Sequence, residues 1–108
     1  MTTAAEILPI GTTWALLHQS LEDRRPVRAR YHGRLRVLCP HVIGWKNGRA
    51  KLLAYQAAVI GAESSDPVGW RSMFVDEIED AAISCDRWRT AGNYTPGTTG
   101  IDTLSAAV

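Results

Sequence analysis

Four arginines, Arg28, Arg30, Arg34 and Arg36, fall at alternate positions on either side of a His32-Gly33 dipeptide. Their guanidinium forks suit one chemistry above others, bidentate binding of phosphate or carboxylate. They belong to a longer run, residues 24 to 62, that holds nine of the chain's twelve basic side chains and no Asp or Glu. Tyr31 and Tyr55 stand among them and offer stacking surfaces, which contribute about 1–3 kcal/mol per base where bases bind. Like charges facing each other across strands are unfavourable, so a basic face needs something to offset it. An anionic ligand would do so. Solvation would also serve, as would pairing with Asp76, Glu77, Glu79 and Asp80 on a neighbouring strand or another subunit.

Other chemistries have less to stand on. Cys39-Pro40-His41 sets two metal-ligating types close together, with Cys85 and His32 elsewhere, but structural zinc takes four ligands in spaced pairs and no second pair exists. His41 reads better as a hydrogen-bonding residue at a pocket rim. The serines lack a nucleophile elbow, and His18 lies among charged neighbours on a helix. Carboxylates crowd between Asp76 and Asp80 as in an ordinary solvated turn. Gly44, Gly48 and Gly61 are turn glycines without the Lys-Ser/Thr of a phosphate loop. The expectation is a binding protein, with no enzyme activity, metal or cofactor.

The elements that must position these residues follow from patterning. Residues 1 to 11 read as a flexible leader, because Pro9 and Gly11 interrupt any helix begun near Thr3. With Thr12 or Thr13 as N-cap, Trp14, Leu17 and Leu21 recur at helical spacing, and Arg24-Arg25-Pro26 ends the helix. Val27, Ala29 and Tyr31 then alternate with Arg28, Arg30 and His32, and Leu35 and Val37 with Arg34 and Arg36. A hairpin turns at His32-Gly33. A two-residue loop would oppose Ala29 to Arg36, whereas a longer loop or a bulge matches apolar with apolar and projects all four arginines from one side; the latter is expected. Pro40 forces a local break or an edge position.

Asn47-Gly48 marks a second hairpin, with the returning strand from Ala50 to about Val59. Residues 60 to 69 read as a polar loop of the length that binding loops have. Strand four is expected from Trp70 to Glu77, and strand five from Ala81 to Cys85 after a turn near Glu79-Asp80. Beyond Asp86 the chain turns rich in Thr, Gly, Asn and Pro. Residues 91 to 108 read as a surface tail anchored by Trp88 and Tyr94.

At 108 residues the chain has room for one domain, and 45% hydrophobic with 21% charged residues is ordinary for a globular protein. No apolar run approaches the roughly 18–20 residues of a membrane span, and the N-terminus lacks the pattern of a secretory signal. Two distant cysteines suggest buried free thiols. No membrane association and a cytoplasmic location are expected. The net charge of +1 hides an asymmetry, +9 in residues 24 to 62 against three basic and eleven acidic groups elsewhere. One helix followed by five short strands predicts a mainly β domain, a small five-stranded barrel of SH3-like or Sm-like type spanning residues 12 to 90, with its helix over one open end.

The order of a short helix, Arg25-Pro26-Val27 leading to Tyr31, Arg36-Val37-Leu38-Cys39-Pro40, the Asn47-Gly48 hairpin, Leu52-Leu53-Ala54-Tyr55 and Trp70-Arg71-Ser72-Met73-Phe74-Val75-Asp76-Glu77-Ile78 resembles the WYL domain. Such domains usually follow a helix-turn-helix in bacterial transcriptional regulators. The similarity covers about residues 12 to 86. The naming tripeptide falls at Ala50-Lys51-Leu52, where only the leucine is kept, and Glu77 stands where a basic residue is common. The resemblance implies a stand-alone, divergent sensor barrel that binds nucleic acid or a nucleotide-like anion through arginines, and carries over to Tyr31, Arg36, Tyr55 and Arg71.

Together these readings give one ligand set. Arg28, Arg30, Arg34, Arg36 and Arg71 supply charge, Tyr31 and Tyr55 aromatic surface, His41 and Gln56 hydrogen bonds. The expected function is regulatory binding of single-stranded nucleic acid or a nucleotide. The alternative is a protein-interaction module in which basic and acidic faces form a homodimer or a regulatory complex.

Overall fold

In a computed structural model of the chain, residues 9–60, 68–90, 101 and 103–107 are described here. Helix α1 (Pro9–Asp23) is followed by strands β1 (Val27–Tyr31), β2 (Arg34–Lys46), β3 (Arg49–Val59) and β4 (Gly69–Phe74). A 3₁₀ turn (Val75–Glu77) leads into β5 (Ile78–Ile83), and β6 (Thr103–Ala107) comes last. All pairings are antiparallel, in the order β4-β3-β2-β1-β5, and β6 joins β2. Among the described residues the fold is mainly β with one helix, a small barrel-like sheet that is not closed, since it ends on β4 and β5. Among the described residues no helix is long and apolar enough to cross a membrane.

The helix starts three residues before the expected N-cap. Proline is tolerated in a first turn, where its missing N–H has no intrahelical acceptor to satisfy, so Pro9 opens α1 where it was expected to stop a helix. At the other end Arg24 takes φ 52°. Its N–H reaches Leu21 O at 3.3 Å and that of Arg25 reaches Ser20 O at 3.0 Å. This pair of bonds is a Schellman cap, here without its usual glycine. The Ser20 hydroxyl donates to Arg25 O and further ties the turn to the helix.

The first hairpin corrects the expected register. His32 and Gly33 both have positive φ, 50° and 78°, which makes a strict two-residue loop of the type that matches strand twist. Tyr31 therefore pairs with Arg34, Ala29 with Arg36 and Val27 with Leu38. Asn47 and Gly48 repeat this geometry at φ 51° and 77° and pair Lys46 with Arg49. The register of β2 against β3 shifts between Pro40 and Val42, the local break that proline predicts.

Two strand limits also differ. The break between β4 and β5 is the 3₁₀ turn at Val75–Glu77, earlier than the turn expected near Glu79-Asp80. A sixth strand lies in the stretch read as tail, because β1 pairs only as far as Leu38 of β2 and leaves Val42–Trp45 to bond with β6. Residues 61–67 of the binding loop expected over 60–69, and the Tyr94 anchor, lie outside the described residues.

Alternation divides the sheet into two faces. Val27, Ala29, Tyr31, Leu38, Ile43, Leu52, Ala54 and Met73 point inward, where Leu17 and Leu21 of α1 close the core together with Val75 and Ile78. Leu17, Val27, Leu38, Ile43 and Leu52 are wholly buried. Burying such a side chain contributes about 1.5–3 kcal/mol. The opposite, outer face carries Arg28, Val37, Cys39, Tyr55 and Trp70.

Candidate anion-binding site

The corrected register separates the arginines that were expected together. Cross-strand partners share a face, so Arg28 and Arg30, opposite Val37 and Leu35, lie outside, while Arg34 and Arg36, opposite Tyr31 and Ala29, lie inside. The outer pair is taken up within the chain. Arg28 donates to both carboxylate oxygens of Asp86 at 2.8 and 3.1 Å, and Arg30 stands 3.7 Å from Asp80. The Arg28 bond, with the hydroxyl of Ser84, holds Asp86 down at about 2. Pairing with the acidic group between Asp76 and Asp80, one of the readings of the basic run, is thus realised at Arg30 and at Arg49, while Arg28 takes Asp86, which lies outside that group.

Arg49 shows the same behaviour at the second hairpin. It bonds both oxygens of Asp76 at 2.7 and 2.6 Å and Glu77 at 2.8 Å, with its guanidinium 3.8 Å from the Phe74 ring centre. Glu77 also accepts from His32 Nε2 at 2.7 Å and from the Tyr31 hydroxyl at 3.2 Å. Its pKa lies below the usual carboxylate range, first because of His32 and then Arg49. The acid at this position therefore clamps two hairpin ends and holds Tyr31 by its hydroxyl. Burial in turn pushes the Tyr31 hydroxyl up.

On the inner face a different group assembles. Arg36, half-buried, donates from Nη1 to Gln56 Oε1 at 2.9 Å and from Nε to Tyr31 O at 3.2 Å, with its guanidinium 5.4 Å from the Tyr31 ring centre. Gln56 is only 2% exposed. Arg71 opposes Ala54 on the same face, and its Nη1 lies 3.5 Å from where a Cβ on Gly69 would stand. Gly69 is the cross-strand partner of Gln56. The Arg71 guanidinium, which also donates to Trp70 O at 2.8 Å, thus reaches back toward Gln56. Arg36, Gln56 and Arg71 form a row over three adjacent strands, about 10 Å wide at the usual strand spacing. Arg34 stands exposed at the hairpin end of this face.

Such a row sets two hydrogen-bonded guanidiniums on one face, with a buried amide on the strand between them. A guanidinium already oriented by its own hydrogen bonds loses less freedom on meeting an anion. Tyr31, Arg36, Gln56 and Arg71 are brought together; Arg34 lies at the edge of the group, and Arg28 and Arg30 lie outside it.

Tyr55 and His41 belong to the other side. Tyr55 meets Trp70 edge-on at 5.4 Å between ring centres, and Arg89 sits 5.8 Å over its ring. His41, 2% exposed, is enclosed by Trp70 and Trp88, its ring centre 4.8 and 4.9 Å from theirs, and its Nδ1 donates to Cys39 O at 2.7 Å. It is a buried packing residue and not a rim residue. Trp88, read from the sequence as an anchor, packs in this cluster, whereas the part of Arg89 was not read because it follows no strand period. Among the described residues no three His, Cys, Asp or Glu converge as a metal site. No protein-family model, curated protein or solved structure matches the chain.

Proposed function

We propose that the chain is a binding module that takes an anion, single-stranded nucleic acid or a nucleotide, on the inner-face row of Arg36, Gln56 and Arg71. The observation that carries this reading is the bond from Arg36 to the buried Gln56, which fixes one guanidinium on the face that Arg71 shares. Tyr31 supplies the adjoining ring. The resemblance to WYL domains agrees at Tyr31, Arg36 and Arg71, and a regulatory barrel acting in the cytoplasm is the form this function takes. A polarisation titration with a labelled oligonucleotide, competed by nucleotides, tests it. Saturable binding weakened by Arg71→Ala is expected, and the reading fails if no probe binds.

A protein-interaction role is the second reading, and a separate observation favours it. Trp45 is 41% exposed and stacks on Trp14 at 4.7 Å, and the two line an apolar groove of about 300 Å³ with Gly11 and Ala50. Sedimentation at low and high salt separates the readings. A monomer that binds oligonucleotides supports the first, and a dimer indifferent to them supports the second.

A further inference from the structure

On the outer face, away from the arginine row, the segment from Ser84 to Arg89 crosses the sheet without regular secondary structure. Its attachments are few. The Ser84 N–H donates to Pro26 O at 2.8 Å, and the Ser84 hydroxyl and Asp86 bond each other. Asp86 clasps Arg28 in a part-exposed ion pair, a kind of contact that holds weakly. Trp88 lies on the His41 ring at 4.9 Å and 29°, and the Arg89 N–H meets Cys39 Sγ at 3.3 Å. Beneath this strap His41 is 2% exposed and Cys39 is wholly buried.

We propose that the strap is a proton-operated latch, in which protonation of His41 releases Trp88 and lifts Ser84–Arg89 off the outer face, uncovering His41 and Cys39. A histidine enclosed between two tryptophans is disfavoured in its charged form. Burial pulls its pKa below the ordinary 6.5, the Cys39 carbonyl opposes this, and the charge of Arg24 adds to it. With the strap lifted, His41 meets water and regains the ordinary value. The proton therefore binds more tightly to the open form. Closure is fully favoured above 6.5 and is lost progressively as pH falls from there through the lowered value. Attraction of an imidazolium to the indole faces opposes release, and enclosure on two sides supplies the burial that outweighs it.

Charged and titratable groups stand on the elements around the strap. From β2 comes Cys39, whose thiol burial pushes up and keeps neutral. Arg24 stands after α1, Arg28 on β1, Tyr55 on β3, and Asp86 and Arg89 on the strap itself; β4 contributes Trp70, which does not titrate. Asp86, held at about 2, keeps its charge throughout.

The two cysteines supply the test, because Cys85 is exposed and Cys39 lies under the strap. In a Cys85→Ser background Cys39 is the sole thiol, and its rate of reaction with dithiodipyridine, divided at each pH by that of a small free thiol so that the falling thiolate fraction cancels, reports strap opening. Between about pH 7.5 and about pH 5 this relative rate is expected to rise several-fold with the far-UV circular dichroism unchanged. His41→Phe, which keeps a flat ring and cannot titrate, is expected to abolish the rise. Arg28→Ala, which removes the clasp and does not touch His41, is expected to raise the rate at every pH. The latch is overturned if the relative rate stays flat with pH, if His41→Phe retains the rise, or if Arg28→Ala reacts no faster than its parent.

Discussion

Gln56 is where a polar side chain enters the core face, and its amide oxygen accepts from the Arg36 guanidinium. A buried amide oxygen left without its donor costs about 1–3 kcal/mol. Arg36→Leu is expected to destabilise the fold by about that amount, measured by urea denaturation. Arg36, Gln56 and Arg71, all in the ligand set read from the sequence, fall on one face of three adjacent strands. Sequence reading could not separate them from Arg28 and Arg30, since which face a side chain takes depends on a register that a single added loop residue reverses. Nor could it show that His41 is buried, because a residue beside a strand irregularity no longer follows the alternation.

At the scale of elements, the turns decide which surfaces exist. The His32-Gly33 loop fixes Ala29 opposite Arg36 and so sends Arg36 inward to meet Gln56. A bulky residue at Gly33, φ 78°, meets no neighbour but pays for the backbone. Gly33→Val is expected to cost about 1–3 kcal/mol and to weaken binding at the arginine row in proportion to lost folded protein. The opposite change is available at the end of α1, where Arg24 holds φ 52° as a C-cap. Arg24→Gly is expected to stabilise the protein by about 1 kcal/mol, seen as a raised melting temperature.

The helix, the Asn47-Gly48 turn, the place but not the length of the first turn, and β1 to β3 were legible because each has a period or a turn dipeptide. Strand β6 was not. Thr103–Ala107 is short and rich in small residues, and it pairs because β1 leaves part of β2 uncovered, a tertiary cause with no local signal.

Over the whole molecule, the charge asymmetry read from the sequence is met in part by ion pairs between strands and turns, those of Asp76, Glu77 and Asp86 being closer than that of Asp80. The three closer acids have pKa values below the ordinary carboxylate range, Asp76 through Arg49 and Asp86 through Arg28. A carboxylate of lowered pKa stabilises the fold above its unfolded value and loses that contribution as pH falls toward the folded one. Thermal unfolding is therefore expected to show a further loss of stability below 4.5 and 3.8, continuing toward about 2. These pairs are part exposed, so raised salt should lower the melting temperature at neutral pH.

The central claim is that the inner arginines bind and the outer ones do not. Its most direct test is a polarisation titration of a labelled single-stranded oligonucleotide against Arg36→Ala and Arg30→Ala, repeated at several salt concentrations. Losing a charged hydrogen-bond donor to phosphate is expected to weaken binding by Arg36→Ala about tenfold or more. The slope of log affinity against log salt should fall by about 0.7 for that variant. Arg30→Ala should leave both quantities as they are. Equal losses in the two variants, or a larger loss for Arg30→Ala, would contradict the account.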